Sequence, residues 1–315
     1  MRKIFLFVLL LQSTSLLAQP YIDIARFQFG NFGVSDLYKG KNEWRVKNEW
    51  SHAAINVPIK IGKRDILMIS PQYDQKYFYD NASSQLINNG SVTIDGTLKY
   101  EATYQSIAIP LTYRHTLSDT TKSIVFFYSY HQNWSNKINP GWTTDQHGGA
   151  LIYNKRSSAK FIWKAGIYYN REFYGNYIVP LIGFEWKPNN KIFMWALLRN
   201  NATFDYTLSN PFHVGIAYRG FEESYAEGYN DYFHLREGQI ELFGNYYIPH
   251  TPLVISLSAG QTVARKYEYN VSSNNGDAIT KTHPTEGFFV RGGVALRVVR
   301  DQKFKTRRLK IDGSL

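Results

Sequence analysis

The chain contains no cysteine, and beyond its first 18 residues it holds no run of about 18 consecutive apolar residues. The missing cysteine excludes a fold stapled by disulfides, and it also excludes a lipid anchor on an amino-terminal cysteine. The missing apolar run excludes a membrane-spanning helix in the rest of the chain. Stability, and any attachment to a membrane, must therefore come from other elements.

Aromatic residues are abundant although the chain as a whole is not hydrophobic. Its 315 residues include 24 Tyr, 20 Phe and 7 Trp, with a mean hydropathy of −0.36. Such a composition suits strands whose apolar half is hidden in alternation, and the length suits one domain. The formal net charge is +11. Because no recognition motif accompanies this charge, we expect no nucleic-acid partner.

The first residues have the order of a secretory signal. Arg2 and Lys3 precede the apolar run 4–11, and the small residue Ala18 ends the segment. A charged start, a short apolar core and a small residue at the cleavage site are typical of exported proteins. The core is too short to span a bilayer as an anchor. We therefore predict a cleaved signal peptide over residues 1–18.

Runs of alternating apolar and polar residues fill the rest of the chain. In “PTEGFFVRGGVALRVV” the apolar parity carries Phe288, Val290, Val294, Leu296 and Val298, and the other parity carries Arg291, Gly293 and Arg297. The same pattern recurs in “AKFIWKAGIYY” and “FHVGIAYR”, and no helical period of comparable length competes with it. The chain is therefore predicted to be all-β, with strands that are apolar on one face only.

Basic residues stand on the polar face of these strands. A Lys or Arg on the lipid face costs about 2 to 4 kcal/mol at the bilayer midplane, so such strands can span only if their polar face lines an aqueous lumen. The candidate lumen-facing residues are Lys60, Arg114, Lys164, Arg219, Glu237, Glu241, Arg291 and Arg297. In a soluble sandwich the same face would be solvated, and periodicity alone leaves this alternative open.

The connections between predicted strands fall into two classes. Tight connections rich in Gly, Pro, Asn and Ser lie at 62–64, 118–121, 155–158, 188–190, 209–211 and 249–252. Longer or more variable connections lie at 31–43, 80–99, 136–146, 171–176, 199–201, 222–231 and 270–285.

Placing each class on its own side gives fourteen strands, with both chain ends on the tight-turn side. We therefore predict a single closed antiparallel transmembrane β-barrel with short periplasmic turns and longer external loops, as in bacterial outer membranes. This count depends on two elements, the first strand near 21–30 and the short hairpin 191–208. Without either one, parity breaks or the count falls to twelve.

The last predicted strand is similar to the assembly signal of outer-membrane barrels. A polar residue, a glycine and two alternating hydrophobic residues are matched by Arg291, Gly293, Leu296 and Val298, although no aromatic residue ends the strand. We therefore expect residues 19–299 to form the barrel and the barrel-assembly machinery to be a partner. The segment 300–315 is predicted to be a basic periplasmic tail, which is usually solvated.

The chain resembles a family of uncharacterised outer-membrane β-barrel proteins found in Bacteroidota. The resemblance is carried by “VPLIGFEWKPNNK” at 179–191, by “FHVGIAYRG” after the “SNP” turn, and by “ARKYEYN” at 264–270. It implies the fold and a location in the cell outer membrane. It implies no catalytic residues, because the family has no assigned activity.

From these features we predict a passive or gated pore for small solutes. Fourteen strands lie between the roughly eight that side chains fill and the roughly sixteen that leave a channel. The predicted inward cations outnumber the inward acids identified from the sequence, which predicts a mild anion preference. Two alternatives stay open. The barrel could carry a surface enzyme or adhesin that acts through the loops 80–99 and 270–285, or the chain could be a secreted soluble β-sheet protein.

The sequence offers little catalytic chemistry. “HQNWSN” sets His131 four residues from Ser135 at the edge of a loop, which does not favour a catalytic pair. The other histidines are scattered without ligand spacing, so we expect no metal site and no cofactor. The enzyme question stays open, with no catalytic residue assigned. The expected partners are outer-membrane lipid, the assembly machinery and an unidentified small-molecule solute.

Overall fold

The computed structural model describes residues 21–39, 42–80, 84–88, 91–95, 101–141, 144–198, 201–228, 230–273, 276–282 and 284–299. The predicted signal peptide and basic tail lie outside these residues. Within the described part, no helix is long and apolar enough to cross a membrane.

The described residues form nineteen strands in one sheet. They are β1 (Tyr21–Lys39), β2 (Asn42–Ile55), β3 (Val57–Lys60), β4 (Asp65–Ile69), β5 (Gln72–Asp80), β6 (Ser84–Asn88), β7 (Ser91–Asp95), β8 (Glu101–Thr116), β9 (Lys122–Ser135), β10 (Asp145–Ser158), β11 (Phe161–Glu172), β12 (Gly175–Trp186), β13 (Ile192–Leu198), β14 (Asn201–Thr207), β15 (Phe212–Ala226), β16 (Tyr232–Tyr247), β17 (Leu253–Ser273), β18 (Gly276–Thr282) and β19 (Phe288–Val299).

These strands make a closed barrel of fourteen. β2 and β3 are one barrel strand interrupted at Asn56, and β4 and β5 are another interrupted between residues 69 and 72. The β6–β7 hairpin and β18 belong to the longer connections between barrel strands and are not part of the barrel wall. β1 pairs with β19 along most of the length of β19, which closes the sheet. The predicted closed antiparallel barrel is confirmed with fourteen strands, and the twelve-strand alternative is wrong.

An apolar belt covers the outside of the cylinder. Along β16, Leu242 is 67% exposed whereas its neighbour Glu241 is 2% exposed. The same alternation exposes Phe288, Val290, Val294 and Leu296 of β19. A contiguous apolar surface of this size is not left in water by a soluble protein. The barrel therefore has the exterior of a membrane-spanning protein, and the soluble alternative does not fit it.

Short turns join the strands at one end, which we take as periplasmic. In the turn before β9, the Asp119 carboxylate accepts the Thr121 hydroxyl at 2.6 Å and the Thr121 N–H at 3.0 Å. Its other oxygen lies 3.0 Å from Lys122 Nζ. The Thr121 hydroxyl, with Lys122, lowers the pKa of Asp119 to about 2, because both stabilise the ionised form. The turn is therefore fixed by its own side chains.

The longer connections at the opposite, outer end are largely extensions of the sheet. β1 and β2 stay paired as far as Lys39 and Asn42, within the predicted loop 31–43. The predicted loop 80–99 contains the β6–β7 hairpin. The predicted loop 270–285 contains the end of β17 and its partner β18. Backbone pairing continues there because each hairpin supplies its own neighbouring strand.

Candidate functional site: the lumen and its outer closure

Two adjacent strands of the barrel, β13 and β14, are short, and the neighbouring strands β15 and β16 fold inward above them. β13 and β14 have seven residues each, and β15 pairs with β14 only as far as Arg219. Beyond that residue β15 crosses the lumen, and its Ala226 pairs with Trp134 of β9 on the opposite wall. A strand edge without a neighbour requires another partner for its backbone groups. We call residues 220–228 and 230–235 the plug hairpin.

One face of the plug hairpin is aromatic and packs on the wall formed by β2, β5, β8 and β17. Phe233 lies 4.6 Å from Tyr104 and 4.7 Å from Tyr269 between ring centroids. The buried cluster comprises Val46, Phe78, Ala102, Tyr104, Tyr225, Phe233, Leu235, Tyr267 and Tyr269. Packing of this kind excludes water from the outer end of the lumen. The outer mouth is therefore closed.

The opposite face of the plug hairpin is polar and is fastened through Ser224, which is 0% exposed. Its hydroxyl donates to Glu172 Oε2 at 2.5 Å and accepts the Phe173 N–H at 3.1 Å. Its carbonyl oxygen accepts the side-chain amides of Asn133 and Gln146, each at 3.0 Å. One residue thus joins the hairpin to β9, β10 and β11.

Charged side chains anchor the hairpin at two further points. Lys76 of β5 forms an ion pair with Glu223 and donates to the Tyr225 hydroxyl at 2.8 Å. Glu227 accepts the Tyr104 hydroxyl at 2.6 Å and lies 3.0 Å from Lys137 Nζ. These groups can exchange protein partners for water at modest net free energy. They differ in this respect from the aromatic face.

His234 of the plug hairpin contacts the barrel on two sides. Its Nδ1 lies 2.9 Å from Glu268 Oε2, its Nε2 lies 3.7 Å from Glu222, and its ring stacks on Tyr174 at 3.8 Å between centroids. Tyr174 belongs to the turn between β11 and β12, and burial raises the pKa of its hydroxyl well above the usual value. The hairpin is therefore held on both sides of the barrel.

Ion pairs fill the lumen below the plug. Glu241 lies 2.5 Å from Arg219 Nε and 3.2 Å from Arg291 Nη1. Arg291 also donates to Gln239 Oε1 at 2.6 Å and lies 4.7 Å above the Trp50 ring. The acid, the amide and the aromatic face each stabilise this buried cation, although its Nε has no hydrogen-bond partner among the described residues.

The same pairing continues along the wall. Arg265 Nε lies 3.1 Å from Glu237, and Lys164 Nζ lies 2.8 Å from Glu185. Both residues of each pair project inward, on the parity opposite to the apolar belt. The lumen therefore alternates positive and negative groups.

A third set of pairs lies at the periplasmic end. Arg297 binds Asp23 through two bonds of 2.5 and 3.1 Å and donates to the Tyr247 hydroxyl at 3.1 Å. His213 Nδ1 lies 3.1 Å from Asp205. Asp23 and Arg297 are also register partners of β1 and β19, so their ion pair spans the seam that closes the barrel.

The predicted lumen-facing residues occupy different environments. The structure places Arg114, Lys164, Arg219, Glu237, Glu241, Arg291 and Arg297 inside the cylinder, whereas Lys60 is exposed at its periplasmic end. Six of the seven inside take part in the ion pairs described above, and Arg114 is buried at the base of β8.

Several inward acids are not among the residues predicted from the sequence. They are Asp23, Asp74, Asp205 and Glu223, each paired with a base or a histidine. The alternation in “QYDQKYFYD” marks Asp74 as inward, because Asp74, Lys76 and Phe78 share the parity opposite to the outward tyrosines. Most lumenal cations therefore have matching acids among the described residues, and the predicted anion preference is not supported.

His131 and Ser135 do not form a pair. His131 Nε2 lies 3.5 Å from Glu172, and the Ser135 hydroxyl accepts the backbone N–H of Lys137 at 3.3 Å. Among the described residues, no group of three or more His, Cys, Asp or Glu side chains could hold a metal ion. A cavity beneath the plug hairpin is lined by Phe32, Asn48, Trp50, Phe221, Leu235 and Arg291 among others. Among the described residues, neither this histidine and serine nor the lining of this cavity forms a catalytic constellation.

No family model and no curated protein matches the chain. Among solved structures it is similar to an outer-membrane channel from Pseudomonas putida F1, at 9% identity and a TM-score of 0.45, covering 91% of this chain and 99% of that one. A mutant of the TodX monoaromatic hydrocarbon channel gives 6% identity, a TM-score of 0.44 and coverage of 88% and 91%. A FadL homologue from Pseudomonas aeruginosa is 9% identical with a TM-score of 0.36, and the match covers 89% of this chain and 91% of that one. The likeness is one of general architecture.

Proposed function

We propose that the protein is a gated pore for small solutes in the bacterial outer membrane, exported by a cleaved signal peptide and inserted by the barrel-assembly machinery. The observation that carries the proposal is the plug hairpin, a part of the wall that folds across the lumen and is held there by aromatic packing together with hydrogen bonds and ion pairs. Below it, the interior is lined by charged groups that water can solvate. Displacing the hairpin would therefore join the outside to a hydrophilic bore.

The gate can be tested with an engineered disulfide. Ala226 and Trp134 are partners in a parallel ladder, and neighbouring strands lie about 4.8 Å apart, within the reach of a disulfide. The chain has no native cysteine, so Ala226→Cys with Trp134→Cys introduces one unambiguous crosslink. In planar bilayers the oxidised double variant should stay closed, and a reductant should restore the openings of the unmodified protein.

The controls separate gating from damage to packing. Each single cysteine variant should conduct with and without oxidant, and heat-modifiable gel mobility should show that all variants are folded. Crosslinked barrels that conduct like the reduced form would show that the hairpin is not the gate. A native protein that never conducts would overturn the pore itself.

A surface enzyme or adhesin remains the second candidate, since the loops 80–99 and 270–285 contain the β6–β7 hairpin and β18 beyond the barrel. Deleting these hairpins should abolish binding or turnover without affecting conductance if that candidate is correct. Membership of the uncharacterised Bacteroidota family also stays a prediction. Its support is the resemblance carried by the segments near the β12–β13 turn and in β15 and β17.

A further inference from the structure

Two lysines stand side by side on the outer face of the barrel at its periplasmic end. Lys122 of β9 and Lys155 of β10 are register partners, on the parity that exposes Phe126 and Leu151 to lipid. Like charges directly opposite each other in a sheet are destabilising. Asp119 lies 3.0 Å from Lys122, and none of the ion pairs between described residues includes Lys155. Only one of the two ammonium groups thus has an acid partner among the described residues.

Two aromatic side chains adjoin these lysines, Trp163 beside Lys155 and Tyr153 on the membrane side. Lys155 is also the register partner of Trp163 in β11. The Trp163 ring meets that of Tyr153 edge to face, with centroids 5.5 Å apart. Trp and Tyr in such positions mark the level of lipid head groups. The two ammonium groups therefore lie at the depth of lipid phosphates or just beyond it.

Further basic residues occupy the same sector of the periplasmic rim. Arg156 is exposed near the end of β10, and Lys160 is exposed in the turn between β10 and β11. The flanking turns on either side carry Lys63, Arg64, Lys187 and Lys191. The turns 209–211 and 249–252, across the barrel, contain no Lys or Arg. Among these turns, positive charge is thus concentrated on one side of the barrel, adjacent to the aromatic pair.

We infer that this sector binds the head group of an anionic phospholipid from the periplasmic leaflet. The phosphate would lie between Lys122 and Lys155, where it relieves their repulsion, and the glycerol and upper acyl chains would lie against Tyr153 and Trp163. Arg156 and Lys160 would add long-range attraction. This site is separate from the lumen and does not depend on whether the pore opens.

Brominated lipids provide a local test, because bromine quenches tryptophan at short range. The protein is folded into phosphatidylcholine vesicles that contain a minor fraction of either brominated phosphatidylglycerol or brominated phosphatidylcholine. Subtracting the signal of Trp163→Phe isolates the emission of Trp163. We expect phosphatidylglycerol to be enriched about fivefold for each lysine that contacts it, and high salt to reduce this enrichment.

Two variants complete the design. Lys122→Gln with Lys155→Gln should abolish the preference, with Lys155→Gln alone as the milder form if the double variant folds poorly. Arg171→Gln, at the exposed outer end of the same β11, should retain it. Equal quenching by the two lipids, or a preference that survives in the lysine variants, would overturn the inference. Loss of the preference on adding soluble glycerol phosphate would also overturn it, in favour of a free phosphate ligand.

Discussion

Replacing Lys76 by methionine should loosen the plug hairpin. The Lys76 ammonium is buried, forms an ion pair with Glu223 and donates to the Tyr225 hydroxyl at 2.8 Å. Methionine keeps most of the volume of the lysine stem but cannot make either contact. In the open state all three polar groups can be hydrated, so the substitution destabilises the closed state selectively.

The size of the effect follows from the contacts that are lost. A hydrogen bond to a charged group contributes about 1.5 to 3 kcal/mol. The side chain of Glu223 is 29% exposed, so the lower part of that range applies, and the full penalty of a buried unpaired charge does not. About 1.4 kcal/mol is a tenfold change in an equilibrium constant. The ratio of open to closed barrels should therefore rise by roughly ten- to thirtyfold.

Single-channel recording in planar bilayers measures this ratio directly. Lys76→Met should lengthen openings or make them more frequent while the unit conductance stays close to that of the native protein. Lys47→Met is the matched control, because Lys47 lies on the outward face of the adjacent β2. A folded Lys76→Met barrel with native open probability would refute the assignment of the hairpin as the gate.

Three further predictions concern the wall and the bore. Asp23→Ala removes the partner of buried Arg297 at the seam and should lower the free energy of unfolding by about 3 to 5 kcal/mol in a urea titration; unchanged unfolding would show that the seam does not depend on this pair. Leu257→Arg places a cation on the lipid face, where Leu257 is 62% exposed. It should lower the free energy of unfolding by about 2 to 4 kcal/mol in the same titration, relative to Leu257→Ala. Equal free energies of unfolding for the two variants would mean that this position is not in hydrocarbon. Reversal potentials under a KCl gradient should be near zero for the native protein. They should shift in the direction of anion selectivity in Glu241→Gln, because this variant leaves Arg291 without its acid partner. A strongly selective native pore would contradict the paired lumen.

Much of the barrel is legible in the sequence because one face of each strand meets lipid and the other does not. In β19, Val290 and Val294 alternate with Arg291, and the structure keeps that division. The tight turns also carry local signals, such as the acid of Asp119 and the hydroxyl of Thr121. The hydrophobic period of a strand, the residues of a turn and the side of the strand on which a residue lies are local properties. They can therefore be predicted from a single sequence.

The plug hairpin was not predictable in this way. Residues 222–231 have the composition of a loop, which predicts a connection outside the membrane. In the structure β15 continues to Ala226, where both of its faces are covered, so no alternation marks the inner side. Its direction is set by the short β13–β14 hairpin and by Trp134, which is 92 positions away in the chain. Partners at such separation leave no signal in local periodicity. The lumenal acids were missed for the related reason that inward parity does not identify which opposite charge lies across the bore.

The charged lumen itself favours a gate over a permanent seal. A barrel of fourteen strands has more interior than a barrel of roughly eight, which side chains fill. If the interior were never hydrated, apolar residues of similar volume would stabilise it at least as well, since replacing buried ion pairs by well-packed hydrophobic residues is often neutral or stabilising by about 1 to 4 kcal/mol. Here the apolar packing is concentrated at the outer closure, around Phe233 and Tyr104, whereas paired charges such as Arg219 and Glu241 line the path below. That division suits a bore that water enters when the hairpin moves, and the recordings on Lys76→Met test it.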